Sequence, residues 1–221
     1  MSTVISILPE QITLPLESSL PRSVFNLVPH SGIMEAVTSF ESALDVVVED
    51  KSAFRMIYLY GKEGSGKSHL IDAYLERAAL RGICAELKVF QLGSENDRED
   101  WVSYFISEYE RIKSCGGVII VEAREHPVSA ATNPHLQSRL LSGEVIAVNP
   151  PLDEEVRLVV ESLLARRQVE ISEYVLDYLL KRIPRDTLSF SSILARIDEL
   201  SLRDKKPVGL AIVRKVLDEK V

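Results

Sequence analysis

The residues Gly61-Lys62-Glu63-Gly64-Ser65-Gly66-Lys67-Ser68 hold the densest chemistry in this 221-residue chain. Three glycines let backbone N–H groups turn inward around an anion, and a helix starting behind them adds the positive end of its dipole. In the G-x-x-x-x-G-K-S spacing, Lys67 reaches the β- and γ-phosphates and Ser68 places its hydroxyl on Mg²⁺. The expected ligand is therefore ADP or ATP with Mg²⁺, cradled by Gly61, Gly64, Ser65, Gly66, Lys67 and Ser68. His69 follows as a packing or polar contact at the nucleotide site, not as a catalyst. Hydrolysis also needs a strand-end acid that holds the metal. The apolar run ending Phe90-Gln91-Leu92-Gly93 supplies none, whereas Val118-Ile119-Ile120-Val121 runs into Glu122. Either Glu122 takes that role, or the acid is missing and nucleotide is bound but hydrolysed poorly.

A phosphate loop works only between a buried strand and a helix. The apolar run Met56–Tyr60 is the strand, and Leu70, Ile71, Tyr74, Leu75 and Ala78 give the helical period that stops at Gly82. Ahead of them, apolar positions from Ile33 to Val48 predict an amphipathic helix over 33–49. Further strands are expected over 83–92, 118–121 and 144–148. Helices are expected over 100–113, with Trp101, Tyr104, Phe105 and Tyr109 on one side, and over 135–141. Residues 127–134 read as a loop. After Asn149-Pro150-Pro151 every segment reads as helix: 153–167, 172–183, 187–203 and 208–219, with Asp153 and Ser172 as N-caps. The fold class is α/β, a P-loop core with a parallel sheet flanked by helices, followed by a small all-helical lid. The expected domains are an extended arm over 1–22, the nucleotide-binding core over 23–149 and the lid over 150–221.

Composition narrows the setting. The net charge is -7 and no Lys/Arg tract exceeds two residues, which argues against a surface for direct sequence-specific DNA binding. No apolar run approaches the roughly 20 residues that span a bilayer, so no membrane role is expected. The first ten residues lack a basic segment and contain Pro9 and Glu10, unlike a secretory signal. Cys84 and Cys115 flank apolar runs without ligand spacing and read as reduced core thiols. The expected location is cytoplasmic.

Several motifs resemble the DnaA-related AAA+ family, and within it the Hda-type regulatory inactivators. Gly61 to Leu70 is similar to the family's G-x-x-G-x-G-K-[ST]-H-L, with His69-Leu70 as its uncommon extension. Phe25-Asn26-Leu27-Val28 resembles the segment ending in F-V beside the adenine pocket, which implies that Val28 touches the nucleotide. Leu136-Gln137-Ser138-Arg139-Leu140 resembles the arginine-finger helix. The resemblance makes Arg139 a finger acting in trans on ATP held by DnaA. Leu179 to Asp186 resembles the family's lid. In the arm, Gln11-Ile12-Thr13-Leu14-Pro15-Leu16 is similar to the peptide that docks on the DNA polymerase III sliding clamp. Gln11 would be its polar anchor, Leu14 and Leu16 would fill an apolar pocket, Pro15 would reduce the entropy lost on docking, and Ile12 belongs to the same docking peptide.

The chain also departs from the family. In the register implied by Trp101 and Gly116-Gly117, the Walker B acid falls near Gln91-Leu92, and Val118–Arg124 becomes the sensor 1 strand. Glu122 is then not the Walker B acid. The lid's sensor 2 arginine falls on Leu188. The resemblance thus implies a protein with weak intrinsic ATPase activity that lends Arg139 to DnaA while docked on the clamp. Homo-oligomers are compatible with it. The alternatives are a clamp- or DnaA-binding module that does not stimulate hydrolysis, and a small P-loop kinase.

Overall fold

A computed structural model describes residues 27–83, 85–93, 98–185, 187–204 and 207–219. It contains helix α1 (Ser31–Glu49), strand β1 (Phe54–Tyr60), α2 (Lys67–Leu80), β2 (Leu87–Gln91), α3 (Glu99–Cys115) and β3 (Gly117–Ala123). There follow α4 (Pro127–Ala130), α5 (Pro134–Leu140), β4 (Glu144–Ala147), α6 (Asp153–Arg166), α7 (Glu173–Leu180), α8 (Thr187–Asp204) and α9 (Leu210–Asp218). The four strands are parallel in the order β2-β3-β1-β4. A parallel sheet needs cover on both faces, so its central strands are continuously apolar. β1 and β3 fit this rule: Met56–Leu59 and Val118–Val121 are all buried.

Side chains alternate across the sheet. Ile57, Leu59, Val118 and Ile120 pack with α1 and α2, through Phe40, Leu44, Leu70 and Tyr74 among others. Met56, Tyr58, Ile119 and Val121 pack on the other face with Phe105, Tyr109 and Ile112 of α3 and Leu136 and Leu140 of α5. The helices α6–α9 bury a separate apolar cluster that includes Val160, Leu164, Leu179, Phe190, Ile197 and Val213. The observed architecture is thus the expected α/β core with a helical C-terminal region.

Several local expectations change. The strand foreseen over 83–92 is confined to Leu87–Gln91. Residues 127–134 contain the short helix α4, opened by Pro127. The N-cap of α6 is Leu152 instead of Asp153, and the N-cap Ser172 makes no side-chain cap bond. Tyr104 is 49% exposed, because the buried stripe of α3 runs through Val102, Phe105, Tyr109 and Ile112. Cys115 is not a core thiol: it is exposed in the last turn of α3. Cys84 lies outside the described residues. Among the described residues, no helix is long and apolar enough to cross a membrane.

Candidate functional site

β1 delivers the chain to Gly61 at its carboxyl end, and α2 leaves from Gly66. Gly61 passes so close to β4's extension that a Cβ there would lie 2.2 Å from the Val148 carbonyl oxygen. Gly66, the N-cap of α2, has φ +101°, a left-handed conformation open to glycine. No side chain caps α2, so its N-terminal N–H groups face the loop, the arrangement that attracts phosphate. Ser65 and Lys67 are buried inside the loop. The Lys67 ammonium donates to the carbonyls of Gly61 at 2.8 Å and Lys62 at 3.0 Å, and to Ser65 Oγ at 3.4 Å. Burial holds its pKa below the ordinary lysine value, with Arg124 adding to that and Glu122 and Glu63 opposing it. His69 is half-buried in the first turn of α2.

Ser68 Oγ donates to Glu122 Oε1 at 2.7 Å. The other carboxylate oxygen accepts from Gln91 Nε2 at 3.3 Å. The family register set Glu122 aside as the metal-holding acid, yet its carboxylate lies against the P-loop serine. Two facts bring this about. β3 is the direct neighbour of β1. Glu122 shares its side of the sheet with Val118 and Ile120, the side that α2 covers. A serine hydroxyl and a carboxylate are hard oxygen donors that suit Mg²⁺, which takes one or two carboxylates together with phosphates and water. At the loop's mouth Arg124 pairs with Glu63 at 2.9 Å, both side chains largely exposed.

The seam between core and lid lies at the start of α1. Val28 packs against the lid's apolar cluster. Arg166 of α6 donates to the Leu27 carbonyl at 3.2 Å. Glu155 accepts from Ser31 N and Ser31 Oγ, both at 2.7 Å, and from Leu152 N at 2.9 Å, tying the start of α1 to the start of α6. Beside it His30 is buried, with no hydrogen-bond partner for Nδ1. Burial lowers the His30 pKa, and the Glu155 charge pulls it back up.

Arg139 lies elsewhere. Asn133 caps α5 by accepting from His135 N and Leu136 N, and this fixes the helix that carries the arginine. The guanidinium donates to Glu110 Oε1 through Nε at 3.2 Å and Nη2 at 2.9 Å, and to the His135 carbonyl through Nη1 at 3.2 Å. It also lies 5.8 Å from the Tyr109 ring centre. Tyr109 in turn packs edge-on against Phe54, the first residue of β1, at 5.3 Å. The P-loop begins at the other end of that strand. At about 3.3 Å per residue, β1 separates the two by about 20 Å.

The structure therefore gathers Gly61, Gly64, Ser65, Gly66, Lys67 and Ser68 into one loop, and places Val28 at the lid seam and Arg139 apart from the loop. Gln11, Ile12, Leu14, Pro15 and Leu16 lie outside the described residues, as does the Leu188 side chain. Sequence reasoning missed Gln91, Arg124, Glu155 and Glu110. Strand parity could have signalled Gln91, which shares a side with Val89. Nothing in the sequence pairs Glu110 with Arg139.

Comparison with known proteins agrees with this architecture. Residues 153–217 match the family described as "Hda, lid domain". An uncharacterized protein of Haemophilus influenzae is 24% identical over 186 residues, covering 73% of this chain and 80% of its own. Domain III of the Thermotoga maritima replication initiation protein DnaA superposes with a TM-score of 0.69 at 17% identity, covering 91% of this chain and 98% of that one. AMPPCP-bound DnaA from Aquifex aeolicus gives a TM-score of 0.72 at 16% identity, over 91% of this chain and 70% of that one.

Proposed function

We propose that this chain, with a DnaA-like AAA+ fold and a C-terminal region matching the Hda lid family, is a regulator of replication initiation that acts on ATP held by DnaA. The P-loop holds ADP or ATP with Mg²⁺. Arg139 serves a second nucleotide, bound by the partner. A bound metal supplies charge neutralisation at the phosphates. Lys67 and the loop amides bind and orient them. The arm peptide Gln11–Leu16 brings the protein to the DNA polymerase III sliding clamp. A cytoplasmic location goes with this reading.

One observation carries the reading in trans. Arg139 lies beside the amino end of β1, about 20 Å of strand away from its own P-loop. An arginine side chain cannot bridge that gap, so any phosphate it serves belongs to another chain. There the guanidinium would stabilise the charge on the γ-phosphoryl as water attacks and the bond to ADP breaks. A finger supplied in trans accelerates hydrolysis on the order of 10³–10⁵-fold. Arg139 must first leave Glu110. That ion pair, with the arginine 26% and the glutamate 53% exposed, contributes about 1 kcal/mol to holding it.

The non-stimulating module has one observation in its favour, the same Glu110 contact, which makes Arg139 a surface ion-pair residue. Hydrolysis of DnaA-bound ATP with DNA-loaded clamp separates the two. The regulator accelerates it and its Arg139→Ala variant does not, while both bind the clamp. A module that only docks leaves the rate unchanged.

A further inference from the structure

We infer that the metal-holding acid of this P-loop has moved one strand across the sheet, to Glu122, with Gln91 as the residue that positions it. This rests on the nucleotide-binding part of the proposed function. Gln91 and Glu122 are paired residues in the β2–β3 ladder, so their Cα atoms lie about 4.8 Å apart on one side of the sheet. β2 is the strand whose end carries the acid in the family that the sequence resembles, and there this chain has an amide. The carboxylate appears at the paired position on β3. β3 adjoins the P-loop strand, so the acid is one strand closer to Ser68 than an acid on β2 would be.

The contacts fit a metal site. Glu122 Oε1 accepts from the Ser68 hydroxyl at 2.7 Å, the hydroxyl that the loop's spacing assigns to Mg²⁺. A cation seated there would take the hydroxyl's lone pair and meet the carboxylate directly or through one bound water. Gln91 Nε2 donates to Oε2, leaving Oε1 turned toward Ser68. The main chain fixes the strand end as well, since Leu92 N donates to the Glu122 carbonyl at 2.8 Å. Glu122 is half-buried, and its charge is felt by Lys67 inside the loop. The site thus joins a fixed hydroxyl, an oriented carboxylate and a buried ammonium around the place where phosphates enter.

The test is a titration of the full chain with a fluorescent ADP analogue, in EDTA and at rising Mg²⁺. Wild type should bind more tightly as Mg²⁺ is added. Glu122→Gln keeps the shape and a hydrogen bond to Ser68 but removes the charge. In EDTA it should bind the analogue more tightly than wild type, because a negative charge beside the phosphates is gone, while its half-saturating Mg²⁺ should rise on the order of 10–100-fold. Gln91→Leu should raise it by a smaller factor, because it frees the carboxylate without removing it. A matched urea midpoint for each variant shows that the fold is kept. Glu122→Gln with an unchanged Mg²⁺ dependence overturns the inference, as does wild-type binding that ignores Mg²⁺. In both cases the nucleotide reading stands. Absence of binding by wild type in either buffer overturns the nucleotide reading itself.

Discussion

Replacing Gly61 with alanine should do more damage than replacing any glycine that merely adopts an unusual backbone angle. The added methyl would lie 2.2 Å from the Val148 carbonyl oxygen and 3.2 Å from Ser65 Oγ. Ordinary contact begins at 3.4 Å, so strand and loop must part by about 1 Å, an overpacking cost of about 1–3 kcal/mol. The Val148 carbonyl belongs to the main chain and cannot rotate aside. Val148 N also donates to the Tyr60 carbonyl at 2.7 Å, and losing that bond adds about 1 kcal/mol. The total is about 2–4 kcal/mol, a large share of the roughly 5–15 kcal/mol that holds a typical domain together. Gly82 is the control. It has φ +65°, and a methyl added there would meet nothing within 4 Å, so alanine incurs only the left-handed backbone penalty of about 1–2 kcal/mol. Urea unfolding followed by circular dichroism reads both. Gly61→Ala should lower the midpoint by about 1 M or more at an unchanged slope, and by more than Gly82→Ala. Equal midpoints would refute the close-approach argument. Because Lys67 donates to the Gly61 carbonyl, nucleotide binding should weaken in Gly61→Ala and not in Gly82→Ala.

Lys67→Met should weaken nucleotide binding by about 10–100-fold, the worth of one charge-assisted hydrogen bond, as read by calorimetry. Burial depresses the Lys67 pKa below its ordinary 10.5, and bound phosphates would raise it again. Wild-type affinity should therefore fall as pH rises through that lowered pKa, and Lys67→Met should lack this decline. His30 is buried with its pKa below the ordinary 6.5, so the unfolded chain takes up a proton first and stability should drop as pH falls below 6.5. His30→Gln should lose that slope but keep the one at lower pH. That second slope arises because hydrogen bonds from Ser31 and Leu152 hold Glu155 below its ordinary 4.5, a stabilisation lost as pH falls through the lowered value. Glu110→Gln should release Arg139 and lower the concentration giving half-maximal stimulation of DnaA-bound ATP hydrolysis by no more than about fivefold, with the plateau unchanged. A raised concentration would make Glu110 part of the partner interface.

Local pattern decided what the sequence made legible. β1 and β3 stand out because central parallel strands are apolar on both faces. The P-loop stands out because its glycines and Lys67-Ser68 are contiguous. β2 is blurred: Leu87-Lys88-Val89-Phe90-Gln91 mixes polar and apolar positions, and only Phe90 among them is buried. Cys115 misled because the apolar run beside it belongs to β3, while the residue itself ends α3, exposed beyond the last buried position of the stripe, Ile112. The Ser68–Glu122 contact spans 54 residues. It depends on which strand lies next to β1, a fact of topology and not of spacing. The Glu110–Arg139 pair spans 29 residues and joins two helices packed on one face of the sheet. No periodicity foretells such a meeting. Gln11–Leu16 remains a reading of sequence motif.

In the proposed function Arg139 works on another chain's nucleotide. Its most direct measurement is phosphate release from ATP-bound DnaA mixed with DNA-loaded sliding clamp, with wild type and with Arg139→Ala. Wild type should accelerate release and Arg139→Ala should not, although the variant still binds the clamp and its own nucleotide. Equal acceleration by both proteins would contradict the proposed function.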